Sequence, residues 1–263
     1  MSEAQQPSLA RRLAAEAIGT AFLLMAIIGP GIMATRIAPQ DGIWALAGIA
    51  AAVFTLLAGL IAMFQPISGA HFNPAVTLMV AALGDMKWRD VPAYIATQIA
   101  AGAAGVAVTN LMFDLPPVVF STSARTGTGQ WIGEFVATFG LFAAIWASAR
   151  LRPAALPVVV AGYVFAAVWF TSSTCFANPA VTIGRALSDT VAGIRPTDVL
   201  PFILFQLLGA GAATALFQWL IPPAYAEYLE RVVPQEAAPA DAAPDAPAAP
   251  RQRSASGPLQ PHG

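Results

Sequence analysis

Two stretches decide the fold: SGAHFNPAVTLMVAALG at 68–84 and TSSTCFANPAVTIGRALSDT at 171–190. Both contain Asn-Pro-Ala-Val-Thr, at 73–77 and at 178–182. Asn is a strong N-cap, and Pro in the first helical position gives up only an N–H that has no partner there anyway, so each motif reads as a helix start. The apolar run after each Pro lasts about ten residues, which at about 1.5 Å per residue reaches half of a hydrocarbon core about 30 Å thick. These are half-helices, and their duplication separates them from the many Asn-Pro pairs that open ordinary turns.

Around them lie six apolar stretches of transmembrane length, about 20 residues each, at 13–35, 43–64, 91–113, 130–149, 155–172 and 198–221. The fifth is the shortest. Trp44, Trp88, Trp131, Trp146, Trp169 and Trp219 all fall near an end of one of them, as expected for an aromatic belt at the membrane surface. The pattern repeats: EAIGT at 16–20 in the first span corresponds to EFVAT at 134–138 in the fourth, and Gln98 in the third corresponds to Gln206 in the sixth. Each half, about 13–113 and 130–221, is three spans plus one half-helix. Three is odd, so the second half enters the membrane upside down relative to the first. The expected fold is therefore an all-α membrane protein, six transmembrane helices plus two re-entrant half-helices in an inverted repeat.

Composition agrees. The chain has 263 residues, 57% hydrophobic and 10% charged, against about a quarter charged in a soluble domain. Thirteen Lys and Arg face fourteen Asp and Glu, a net charge of −1, so no basic surface exists to neutralise nucleic-acid phosphates. One cysteine, Cys175, and two histidines, His71 and His262, leave neither a disulfide framework nor a metal site to expect. No cofactor is implied. Arg11, Arg12, Lys87, Arg89, Arg150, Arg152 and Arg231 fall on one side of the spans; Arg36, Arg125, Arg185 and Arg195 fall on the other. The cationic side is read as cytoplasmic, which places both termini inside, residues 1–12 among them. Residues 232–263, rich in Ala and Pro, read as a disordered cytoplasmic tail.

The inverted repeat has a chemical consequence. The two half-helix N-termini meet near the midplane, each carrying about half a positive charge, and that field repels cations and protons. The non-helical approaches, 65–72 and 171–177, carry backbone carbonyls that must be buried or line a water-filled path. With the Asn73 and Asn178 amides at the centre, the arrangement reads as a pore for small hydroxylic molecules. A secondary transporter also uses broken helices in inverted repeats, but it needs an ion-coordinating group at the midplane, and the motifs hold no Asp, Lys or Arg there. An enzyme built on Cys175 and His71 lacks a third, orienting group.

These residues resemble the aquaporin, or major intrinsic protein, family. The resemblance covers about residues 10–222 and rests on SGAHFNPAVTL, on FANPAVT and on the paired Glu16 and Glu134. It implies a homotetramer in the cell membrane with one pore per subunit, passive flux in both directions, and proton exclusion at Asn73, Pro74, Ala75, Asn178, Pro179 and Ala180. In that family an arginine usually stands three residues after the second motif asparagine, as part of a filter with aromatic or histidine side chains. Val181 stands there in this sequence, and the family spacing puts Val53, Ala166 and Cys175 at the other filter positions. The implied filter is wide and weakly polar, suited to neutral solutes bulkier than water such as glycerol-like polyols; a water-selective pore is the alternative. The run FANPAVTIGRALSDTVAGIRPTDV at 176–199 further resembles a bacterial subgroup found with arsenic-resistance genes, whose implied solute is neutral arsenite.

Four further residues carry expectations. Glu16 and Glu134 are read as acceptors for the loop backbone, more than as ionisable groups of transport. His71 is either a pH-sensitive gate or a loop anchor. Arg185 lies one turn beyond Val181 and four residues before Asp189, and is read as half of an interfacial ion pair; a displaced filter cation is the other reading.

Overall fold

The computed structural model describes residues 7–39 and 41–222, and every regular element among them is helical. The elements are α1 (Leu9–Ile37), α2 (Gly42–Ser68), α3 (Pro74–Ala82), α4 (Val91–Met112), α5 (Thr128–Leu151), α6 (Leu156–Phe170), α7 (Pro179–Arg185) and α8 (Pro196–Leu220). Short 3₁₀ turns, Trp88–Asp90 and Pro153–Ala155, precede α4 and α6. Six helical segments among the described residues are long and apolar enough to cross a membrane. The sixth stretch of the expected set begins slightly earlier, at Pro196, and the fifth reaches 18 residues only by including its 3₁₀ turn. The tail at 232–263 lies outside the described residues.

The half-helices are short for the reason their sequence supplies. The Asn73 side chain accepts from the Ala75 N–H at 2.9 Å, and that of Asn178 accepts from Ala180 at 2.9 Å and Val181 at 3.3 Å, with Pro first in each helix. α3 has nine residues and α7 seven, roughly 14 and 10 Å at 1.5 Å per residue. Each half packs alike: α1 lies against α2 and α4, α5 against α6 and α8, while α2 and α6 join the halves. The half-helices bind the two halves further, since α3 touches α4 and α8, and α7 touches α8 and α4.

Two glycines set the closest approaches. A Cβ on Gly105 would run into the backbone of Ala21, and one on Gly209 into the backbone of Phe135. These are corresponding places in the two halves, α1 with α4 and α5 with α8, where small residues let helix backbones approach. Gly211, two residues beyond Gly209 on α8, faces open space.

Two expectations need correction. The sequence places the first non-helical approach at 65–72, but α2 runs through Pro66 to Ser68. A proline near the last turn costs one backbone bond, and Gly69, left-handed at φ 90°, closes the helix by donating its N–H to the Gln65 carbonyl at 3.1 Å. Trp146 is not part of an aromatic belt: it is buried, and its indole N–H donates to the Thr214 hydroxyl at 3.0 Å. Trp44, Trp88, Trp169 and Trp219 are exposed, and Trp131 is half-buried against Phe205.

Candidate functional site

The two loops leading into the half-helices enter the left-handed backbone region in the same pattern, at 69, 70 and 72 in the first and at 174, 175 and 177 in the second. Ala70 and Phe72 in the first, and Cys175 and Ala177 in the second, have φ between 48° and 52°, and Thr174 has φ 60°. Non-glycine residues pay about 1–3 kcal/mol each for such conformations and keep them only where their surroundings impose them. Two buried carboxyl groups do so. Glu16 accepts from the His71 N–H at 2.9 Å, the Phe72 N–H at 2.6 Å, the Ser68 hydroxyl at 2.7 Å and the Gln98 amide at 2.8 Å. Glu134 accepts from the Phe176 and Ala177 N–H groups, both at 2.9 Å, and from the Gln206 amide at 2.5 Å. Each Gln also donates to a motif threonine, Gln98 to Thr77 at 3.0 Å and Gln206 to Thr182 at 2.8 Å. The same four-part brace thus occurs twice.

The motif asparagines cross-link the loops. The Asn73 amide donates to the Ala177 carbonyl at 2.9 Å, and the Asn178 amide donates to the Phe72 carbonyl at 2.8 Å. Each amide has two hydrogens, so one remains for the lumen after the cross-link is made.

A cavity of about 400 Å³ runs past both motifs. α2 lines it with Ile49, Val53, Leu57, Ile61 and Gln65, and α6 with Leu156, Val160, Val164 and Val168, each set spaced by four. Asn73, Asn178, Val181, Cys175 and His71 also line it. Three of the four expected filter residues, Val53, Cys175 and Val181, therefore lie on its wall. Ala166 does not: it is exposed on the outer face of α6, two residues and so about 200° round the helix from Val164. Val164 and Val168 occupy the lumen side. His71 contacts the Thr77 hydroxyl at 3.1 Å through Nδ1 and packs against the Tyr94 ring at 5.4 Å.

Arg185 is not an interfacial ion-pair partner. α7 ends at Arg185, so Asp189 is not on its helix; the Asp189 carboxylate accepts instead from the Thr122 N–H at 2.9 Å and hydroxyl at 3.1 Å. Arg185 is 4% exposed, lines the cavity and donates from Nε to the Ala192 carbonyl. Its guanidinium carbon sits 3.4 Å from the centre of the Phe176 ring. The segment 113–127 folds across this mouth, with Val119 and Ser121 N–H groups on the Leu187 and Ala186 carbonyls, both at 3.0 Å. It delivers Arg125, whose Nε donates to the Gly193 carbonyl at 2.7 Å and whose guanidinium carbon lies 4.9 Å from the same ring. Burial pulls the Arg125 guanidinium below its ordinary pKa, and Glu134 partly offsets this.

Comparison with known proteins agrees with this geometry. A family model described as Major intrinsic protein matches residues 3–173. Aquaglyceroporin AqpS of Rhizobium meliloti (strain 1021) is 47% identical over 220 residues, 84% of this chain and 94% of its own. Aquaporin NIP1-4 of Oryza sativa subsp. japonica is 34% identical over 207 residues, 76% of this chain and 73% of its own. Among solved structures, the X-ray structure of the aquaglyceroporin from Plasmodium falciparum superposes with a TM-score of 0.59 at 19% identity, covering 86% of this chain and 97% of that one. That last likeness concerns the fold alone.

Proposed function

The chain belongs to the major intrinsic protein family of multi-pass membrane channels, and on that premise we propose that it is a passive pore for small uncharged solutes bulkier than water: glycerol-like polyols, neutral arsenite, and water with them. It is a channel rather than an enzyme. The observation that carries the reading is the cavity wall, where Val53, Cys175 and Val181 supply two aliphatic groups and a thiol at the positions that the family resemblance marks as the filter. An aliphatic wall there grips water weakly and leaves room for a carbon-bearing solute.

In this reading Asn73 and Asn178 turn their remaining amide hydrogens to passing oxygens, with Pro74, Ala75, Pro179 and Ala180 fixing the helix starts behind them. Glu16 and Glu134 brace the strained loops rather than ionise during transport. His71 serves as a loop anchor through Thr77. Four subunits assemble in the cell membrane with both termini in the cytoplasm, an orientation supported by the excess of Lys and Arg on the terminal side. One pore per subunit is what the family resemblance implies for such an assembly.

Stopped-flow swelling of proteoliposomes with glycerol, urea and arsenous acid tests this. Glycerol and arsenous acid are expected to enter well above the rate of protein-free vesicles, with no ion gradient required. Passage of water alone contradicts the proposal, and so does uphill accumulation of any solute.

A further inference from the structure

Beyond the main cavity, toward the mouth covered by 113–127, lies a second cavity of about 90 Å³. The two cavities share four lining residues, Ile49, Val168, Thr174 and Arg185. These four side chains therefore border both cavities, one helical turn from the filter positions: Ile49 precedes Val53 by four on α2, and Arg185 follows Val181 by four at the end of α7. Three of the four offer a solute little or nothing polar beyond a hydroxyl. The fourth is a guanidinium.

Arg185 is held for this position. Its Nε is committed to the Ala192 carbonyl, and its planar group rests on Phe176. Its two Nη nitrogens have no hydrogen-bond partner among the described residues, and no carboxylate lines either cavity there. Arg125 is spent differently: Nε, Nη1 and Nη2 all donate to loop groups, Gly193, Ser173, Thr174 and Val191. It fixes the wall, and Arg185 is left as the donor. Its Nη groups are therefore open to the cavities, where a water or a solute oxygen can accept from them.

We propose that Arg185 is the specificity-determining residue of a solute-binding neck formed with Ile49, Val168 and Thr174, and that this neck takes neutral solutes carrying two or more adjacent oxygen acceptors. A solute sheds water to enter the neck, and the paired Nη donors replace that water on one edge of the molecule while Ile49 and Val168 meet the other. Solutes with a single acceptor recover less. Selection by hydrogen bonding thus takes place at Arg185, one turn away from the aliphatic wall around Val181. The proposal rests on the channel reading above and names the solute class of the same pore.

The test is the ratio of glycerol to acetamide permeability in proteoliposomes, with protein-free vesicles subtracted, for the native chain, Arg185→Leu and Arg185→Met. Acetamide has one oxygen acceptor and a methyl group. Both substitutions keep bulk and remove the donors, and each is expected to lower the ratio about tenfold, the worth of one hydrogen bond to a charged donor. Arg185→Lys, which keeps a charge but loses the planar pair, is expected to fall between. A native ratio in whichever of the Leu and Met variants conducts water overturns the proposal, as does an equal loss of both fluxes. Failure of the channel reading looks different: the native protein itself then adds no glycerol flux to that of bare vesicles.

Discussion

Glu134 shows how much one side chain holds in this molecule. Its carboxyl group answers two loop N–H groups and the Gln206 amide in a fully buried place. Each such bond contributes about 1.5–3 kcal/mol when the acceptor is charged. Glu134→Ala strands three donors at once, so its unfolding midpoint in detergent should drop further than that of Glu134→Gln, which retains one carbonyl acceptor. Equal midpoints would show that the loop finds other partners. The role is legible in the sequence because the internal repeat pairs Glu16 with Glu134. Arg185 is not, for a local reason: the rule that residues four apart meet assumes that the helix continues, and α7 stops at Arg185 itself. Ala166 is hard to place because α6 is apolar on every side, so its sequence carries no mark of which face meets the lumen; only the packing of Val160, Val164 and Val168 reveals it.

At the scale of elements, the half-helices are the most legible part, since an N-cap and a proline state where each begins; their length is less legible, for against about ten residues expected α3 has nine and α7 only seven. Helix ends are less so, as the run of α2 through Pro66 shows. Close contacts between helices are legible as small-residue patches but not residue by residue. Gly105 and Gly209 have no room for a methyl group, whereas a Cβ on Gly211 would meet nothing within 4 Å. Overpacking costs about 1–3 kcal/mol. Gly105→Ala and Gly209→Ala should each lower the thermal midpoint in detergent, while Gly211→Ala should leave it unchanged or raise it through better helix propensity. Three equal shifts would mean that α1 and α5 can move aside.

For the whole molecule, the inverted repeat follows from parity alone, three spans plus a half-helix in each half. The fold of segment 113–127 over one mouth does not, because its bonds to Ala186, Leu187 and Asp189 join residues that are far apart in the sequence and share no pattern. The central field belongs to the assembled whole. Asn73→Asp replaces a neutral donor with an acid at the start of α3; at about 8 Å and an effective dielectric of about 20, a unit charge changes the energy of a passing proton by roughly 2 kcal/mol. Decay of a pH gradient across proteoliposomes should quicken about thirtyfold at that energy. An unchanged rate would remove the field from the account of proton exclusion.

The paired bonds between Asn73 and the Ala177 carbonyl, and between Asn178 and the Phe72 carbonyl, span 104 and 106 residues. Synthesis at about 5–20 residues per second puts roughly 5–20 seconds between the two partners. During that interval the first re-entrant segment already exists, and the groups that will complete it do not. The nascent first half must therefore wait in a sheltered or hydrated place beside the insertion machinery, and the pore is closed into its final form only once the second motif has left the ribosome.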